Sequence, residues 1–259
     1  MQGLLKQRIQ NFWNAQPCNI KHSKAEPGTA QFYKDVTARR YHVEPHIPAF
    51  AGFNDFAGKT MLEIGTGIGT DTAEYARGGA IVYGMNIDQA SVDLTAKRFQ
   101  VEGLVGTFFQ GDACDPQVYT HLPPLDLVYS FGVIHHDPGI QTIIDNVYNS
   151  LKQDGEFRFM VYAKNSWKQA MINTGFDQYE AQADCPWAQS FTKEEVKEML
   201  GDRFEILDLT QAHCFMYNVA EYKQGNYVLE PWFAAMSEEM RNAVKKELGW
   251  HLLVTARKK

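Results

Sequence analysis

Between Met61 and Thr70 the chain reads M-L-E-I-G-T-G-I-G-T, with a carboxylate, Glu63, two residues ahead of three glycines at alternate positions, Gly65, Gly67 and Gly69. Glycine accepts positive φ and lets a ligand approach the backbone where a Cβ would clash. A helix opening at Thr70 would aim its free N–H groups at that ligand. The dinucleotide fingerprint G-x-G-x-x-G is absent, so the loop is not a diphosphate cradle. Further along, His135 and His136 form an adjacent pair whose imidazoles titrate near neutrality, so either could accept a substrate proton. The competing reading has one imidazole orienting a loop and the other stacking on a ligand. Near the C-terminus, Glu230 and Trp232 flank Pro231. In an extended segment residues two apart point the same way. A protonated amine between that carboxylate and indole would gain a hydrogen bond and a cation–π contact. Tyr162, Tyr179, His213 and Tyr217 add polar groups that could orient a small nucleophile, or simply help build the core of a cap.

The elements that must position these groups alternate. A strand at Thr60–Ile64 precedes the glycine loop, and a helix follows at Thr70–Arg77. A second strand (Ala80–Asn86), a helix (Gln89–Val101), a third strand ending at Asp112 and a fourth at Leu125–Ser130 come next. A helix near Thr142–Leu151, a Q-D-G turn and a fifth strand at Glu156–Tyr162 continue the series, and Phe204–Leu209 and Trp250–Ala256 complete seven strands. This pattern predicts an α/β fold with a Rossmann-like, doubly wound, mostly parallel sheet. Residues 1–57 precede the alternation and the main domain covers 58–259. Insertions at about 164–192 and 210–248 are placed to roof the crevice beyond the carboxyl ends of the strands.

Composition excludes several classes. The 259 residues are 44% hydrophobic and 13% aromatic, enough for a substantial core, and the net charge is −6 with no basic stripe, which argues against a nucleic-acid partner. Four cysteines lie far apart with no C-x-x-C, against a disulfide framework. His213 and Cys214 are adjacent, but no ligand set has zinc spacing, so no metal is expected. The N-terminus has only a broken apolar run and does not read as a signal peptide. No run of about 18 apolar residues is present to span a membrane. A cytoplasmic monomer or homodimer is the expectation.

Four stretches taken together resemble the class I S-adenosylmethionine (SAM) dependent methyltransferases, of the type that acts on small molecules. They are M-L-E-I-G-T-G-I-G, G-M-N-I-D, F-F-Q-G-D-A and L-D-L-V-Y-S-F-G-V-I-H-H-D-P, in order, with G-W-H-L-L-V-T-A-R as the matching terminal strand. The resemblance implies SAM as cofactor and a last strand that is antiparallel, inserted between the fifth and sixth. It places the glycine loop with Glu63 at the cofactor and Asn86, where a carboxylate is usual, at the ribose. Asp112 and Ala113 fall at the adenine and Ser130 beside the methionine part. It also makes F-Y-K-D-V-T-A-R-R-Y a lid, with Tyr33 and Tyr41 at the cofactor's amino-acid end and Arg39 or Arg40 pairing with its carboxylate. For His135 and His136 it favours the structural role. The implied activity is in-line methyl transfer to a small molecule, at nitrogen in preference to oxygen or carbon. SAM-driven cyclisation and a non-catalytic SAM-binding subunit are the alternatives.

Overall fold

The computed structural model describes residues 2–175 and 185–259. Three helices come first: α1 (Gln2–Ala15), α2 (Ala30–Val43) and α3 (Ile47–Ala51). The alternation then runs through β1 (Thr60–Ile64), α4 (Thr70–Arg77), β2 (Ile81–Asn86), α5 (Gln89–Glu102), β3 (Thr107–Gln110), β4 (Leu125–Phe131), α6 (Ile140–Ser150) and β5 (Leu151–Ala163). Beyond it lie α7 (Trp167–Asn173), a two-residue β6 (Ser190–Phe191), α8 (Lys193–Leu200) and β7 (Phe204–Ala212). Three short helices, α9 (Val219–Tyr222), α10 (Pro231–Ala234) and α11 (Glu238–Leu248), lead to the final strand β8 (His251–Lys258). Among the described residues no helix is long and apolar enough to cross a membrane.

The sheet order is β3-β2-β1-β4-β5-β8-β7, parallel except for β8, which runs antiparallel to both neighbours. An eighth strand, β6, pairs with β5 at Tyr162 and Ala163. It was not foreseen, because two residues carry no periodicity. The expected Q-D-G turn before the fifth strand is instead an irregularity inside β5. Asp154 takes φ 62° there, and the register against β4 slips between Leu125 and Leu127.

Helices cover both faces of the sheet, so alternate residues of each central strand feed separate cores. Leu62, Val128, Phe157, Phe159 and Val254 pack against α6 and α8 on one face. Met61, Leu127, Tyr129, Phe131 and Leu253 pack on the other, with Tyr75 of α4 and Ile47 and Ala51 of α3. Strands buried on both faces read as nearly continuous apolar runs, as β1 and β4 do.

The return from α11 into β8 is tight. A Cβ on Gly249 would lie 2.2 Å from the Lys245 carbonyl oxygen and 2.3 Å from that of Ala212. Next to it the Trp250 N–H donates to the His213 carbonyl at 2.7 Å. Both clashes are with backbone, so Gly249→Ala must move β7 or α11. It should cost about 1–3 kcal/mol, read as a lower Tm in thermal unfolding; an unchanged Tm would show that the junction is loose.

Candidate functional site

At the end of β1 the three glycines all adopt positive φ (82°, 56° and 74°), and Gly69 starts α4. The added Cβ of Gly65 would meet Val133 Cγ2 at 2.3 Å, whereas that of Gly67 would find only Cys18 Cβ at 3.7 Å. Gly65 therefore lets the β4 loop pass close by, while Gly67 turns its bare backbone to the cleft. That cleft holds about 1050 Å³ of atom-free space including its open mouth. It is lined by Glu63, Gly65, Gly67, Asn86, Asp112, Ala113 and His136 from the sheet side, and by Ile9 and Trp13 of α1.

Asn86 lies at the end of β2, buried. Its Oδ1 accepts from the Gly67 N–H at 3.1 Å and its Nδ2 donates to Thr66 Oγ1 at 2.5 Å. The amide thus shapes the glycine loop as well as facing the cleft. Asp88 caps α5, accepting from the Ser91 N–H at 2.8 Å.

At the β3 end of the cleft, Asp112 accepts from the Cys114 N–H at 2.9 Å and from Lys6 Nζ at 2.5 Å. Lys6 also lies 3.4 Å from Asp137. Burial pulls the Lys6 amine down, but Asp112 and Asp137 together raise it above its ordinary value. Trp13 meets His136 edge-on at 5.2 Å. The first helix therefore roofs the cleft through Lys6, Ile9 and Trp13, residues the sequence reading did not single out. Their signal was present: the three share one helical face at i, i+3 and i+7.

The opposite end is organised by Asp71, on the first turn of α4 and 2% exposed. Arg40 grips it with two bonds, Nε to Oδ1 at 3.0 Å and Nη2 to Oδ2 at 2.7 Å. The hydroxyls of Tyr41 and Tyr129 each donate to it at 3.0 Å. Arg40 lines the cleft, but its fork is already spent on Asp71, a nearer and fixed carboxylate, which corrects the expectation that it holds the cofactor's carboxylate. Tyr41 is committed in the same way. Arg39 turns outward to the Tyr222 hydroxyl and Asn19. Tyr33 packs under Arg98 and donates to the Leu94 carbonyl at 2.7 Å. Neither lines the cleft, although Arg39 reaches Asn19, which does. Ser130 donates to the Ile64 carbonyl at 3.0 Å, tying β4 to β1.

Of the histidine pair only His136 reaches the cleft. Its Nδ1 lies 2.9 Å from the Trp187 carbonyl, which can only accept, so Nδ1 carries the proton. Nε2 is then a lone-pair acceptor, with no partner among the described residues. Burial pushes His136 down to about 4, so at neutral pH it is a hydrogen-bond acceptor rather than a useful base. His135 is fully buried against Tyr162, with ring centres 3.9 Å apart, and burial holds it well below its usual value. Tyr162 in turn stacks on Trp250 at 4.3 Å.

The cap residues do not converge. Tyr179 lies outside the described residues. Tyr217 packs with Tyr222 and Val43. Glu230 is the N-cap of α10 and accepts from Asn218 Nδ2 at 3.1 Å, while Trp232 lies beside Trp167. The segment is helical from Pro231 rather than extended throughout, and the two side chains turn to different partners, Glu230 to Asn218 and Trp232 to Trp167. The amine clamp read from their spacing is not formed.

Missed in the sequence was a histidine cluster behind Phe131, itself a lining residue of the cleft. His251 opens β8 and meets the Phe131 ring at 5.3 Å, with His46 Nε2 3.0 Å from its Nδ1 and His213 stacked on it at 4.5 Å. Because β8 is antiparallel, its first residue falls at the carboxyl end of the parallel strands, and that was the available signal. Burial first, then the Arg40 charge, pushes His46 down to about 4. Burial and its two histidine neighbours hold His251 well below its ordinary value.

Glu63 shows the clearest link between the site and stability. Its carboxylate accepts from the Thr72 hydroxyl, and burial, then the Asp71 charge, pushes it up to about 8 from an ordinary 4.5. The folded protein thus holds a proton that the unfolded chain releases between those values. The contribution is complete below pH 4.5 and is lost as pH rises through 8. Tm of the protein should fall between pH 4.5 and 8 and level off above, and Glu63→Gln should flatten that slope; parallel curves would remove Glu63 as its source.

Residues 61–155 match the family model described as a methyltransferase domain. A ubiquinone biosynthesis O-methyltransferase of Salmonella paratyphi A is 25% identical over 121 residues, covering 46% of this chain and 50% of that protein. The chain thus aligns with about half the length of that curated relative. Among solved structures, magnesium protoporphyrin IX methyltransferase from Synechocystis PCC 6803 with bound SAH superposes with TM-score 0.62, at 12% identity, over 98% of this chain and 100% of that one. The [4+2]-cyclase SpnF superposes with TM-score 0.55, at 20% identity, over 98% and 92%. The cradle fits the cofactor of that family: bare backbone at Gly67, a carboxylate at Asp112 and an unpartnered acceptor on His136, all on one cleft. Over residues 61–155 the chain is thus similar to the methyltransferase domain, and its fold is shared with methyltransferases solved with SAM or SAH bound.

Proposed function

We propose that this protein transfers a methyl group from SAM to a small-molecule acceptor with a nucleophilic nitrogen or oxygen. One observation carries the reading: the glycine cradle, Asp112 and His136 open onto a single cleft that ends at Phe131, with the histidine cluster on that ring's far side. The amine preference read from Glu230 and Trp232 keeps no geometric support, since the pair diverges, and the nucleophile is therefore defined only as nitrogen or oxygen.

The bound cofactor would supply an already activated sulfonium methyl, so the protein's task is alignment and exclusion of water. Such positioning can contribute roughly 7–11 kcal/mol. The Gly67 backbone and Asn86 would hold the nucleoside, and Asp112 would accept from its adenine amino group. Asp112 already holds Lys6, so α1 and the adenine address the same carboxylate, and Lys6, Ile9 and Trp13 would close over the cofactor. His136 Nε2, kept as an acceptor, would orient an O–H or N–H without taking its proton. The likeness to a cyclase shows that this fold does not by itself fix the reaction.

Calorimetry should show SAM and SAH binding and no NAD binding. Release of SAH in the presence of amine or hydroxyl acceptors would then establish transfer; binding of NAD in place of SAM would overturn the proposal. Asn86→Ala should weaken SAM by about 1–3 kcal/mol by taking from the Gly67 N–H its acceptor in the loop. An unchanged affinity would detach Asn86 from the cradle.

A further inference from the structure

The cofactor cleft leaves unused the side chains gathered where β7 ends and β8 begins. One ligating atom each from Glu44, His213 and His251 lies within 4.8 Å of the other two. His251, 4% exposed, turns Nε2 toward Glu44 Oε1 at 3.6 Å and Nδ1 toward His46 Nε2 at 3.0 Å. The His213 ring lies over that of His251 at 4.5 Å with a 29° tilt. We propose that Glu44, His213 and His251 bind a divalent transition-metal ion.

Two imidazoles and one carboxylate form the donor set that takes zinc with a free position, or iron(II) with several. The separations suit it. Ligands at about 2.0–2.1 Å from a tetrahedral ion stand roughly 3.4 Å apart; His251 and Glu44 are near that already at 3.6 Å, and His213 must close from within 4.8 Å. His46 supplies the outer shell: its bond to His251 Nδ1 would fix the ring and leave Nε2 for the ion.

The backbone supports the reading. His213 takes φ 64°, a left-handed conformation that a side chain other than glycine rarely adopts. Strain of this kind collects at ligand sites, where surrounding contacts enforce it. The Trp250 N–H bond to the His213 carbonyl and the close passage at Gly249 do so here. Charge is the opposing factor, since Arg40, Lys168 and Lys245 surround the histidines. Arg40 is already matched by Asp71 and lies 3.5 Å from Glu44 Oε2. The other description, a histidine cluster held by hydrogen bonds alone, binds no ion.

Phe131 touches the cluster and lines the cofactor cleft, so the free coordination positions would face an incoming acceptor. That placement rests on the methyl-transfer reading; ion binding does not. The test is made without SAM. Tag-free protein is stripped with chelator, dialysed against zinc(II) or cobalt(II), and measured by elemental mass spectrometry and visible absorption. A single ion per chain, with cobalt bands of a nitrogen–oxygen site, is expected. His46→Ala should weaken zinc by about 10–100-fold, and His213→Ala and Glu44→Gln by more, with far-UV circular dichroism confirming that each variant folds. No ion retained by the unmodified protein, or undiminished binding in folded His213→Ala and Glu44→Gln, would overturn the site whatever the outcome of the transfer assay.

Discussion

One buried carboxylate fixes the geometry of this molecule. Asp71 brings a full negative charge to the interior at the N-terminal end of α4, and three elements answer it: Arg40 and Tyr41 from α2 and Tyr129 from β4. Removing one partner of a buried ion pair costs about 3–5 kcal/mol, because the other charge remains in a poorly polarisable surrounding. The helix N-terminus adds favourable field for the anion. The consequence is directional. Once the Arg40 fork is locked onto Asp71, the orientation of α2 is set, and the chain leaving its end must carry Glu44 and His46 to the β8 edge. The same lock engages Arg40 and Tyr41, while burial, and then the Asp71 charge, pushes Glu63 toward its neutral form against the opposing Arg40 charge.

A second constraint is close backbone approach. Gly65 yields space to Val133, and Gly249 yields it to Ala212 and Lys245. The first lets the β1 and β4 loops meet as the floor of the cofactor cleft. The second lets β7 and β8 meet so that His213 and His251 stack. Cofactor floor and histidine cluster therefore sit on either side of Phe131, joined by a rigid sheet rather than by a mobile segment.

The fold leaves the chemistry open. Its likeness extends to a methyltransferase with bound SAH and to a cyclase, at identities that carry architecture only. Beyond Phe131 stands a wall of buried imidazoles, with His46 and His251 held below their ordinary range by burial. A neutral imidazole in a dry site accepts hydrogen bonds and ligates; with His136 and His46 near 4 it takes few protons at pH 7.

The sequence by itself determined the local and periodic features. The G-x-G-x-G loop set the positive-φ turn, and α4 runs from Thr70 to Arg77 as read, because a turn and a buried strand beside it are specified within a few residues. The strand sequence and the antiparallel last strand followed from apolar alternation and from family resemblance. Tertiary structure decided everything that depends on residues far apart in the chain. Arg40, 31 positions from Asp71, could be read from composition as an exposed cation or a cofactor clamp; only packing shows which carboxylate reaches it first. Glu230 and Trp232 looked paired because an extended chain was assumed, and one helical turn after Pro231 separates them. Glu44, His46, His213 and His251 have no metal spacing along the chain, since their proximity is produced by the return of an antiparallel strand, which sequence periodicity does not encode.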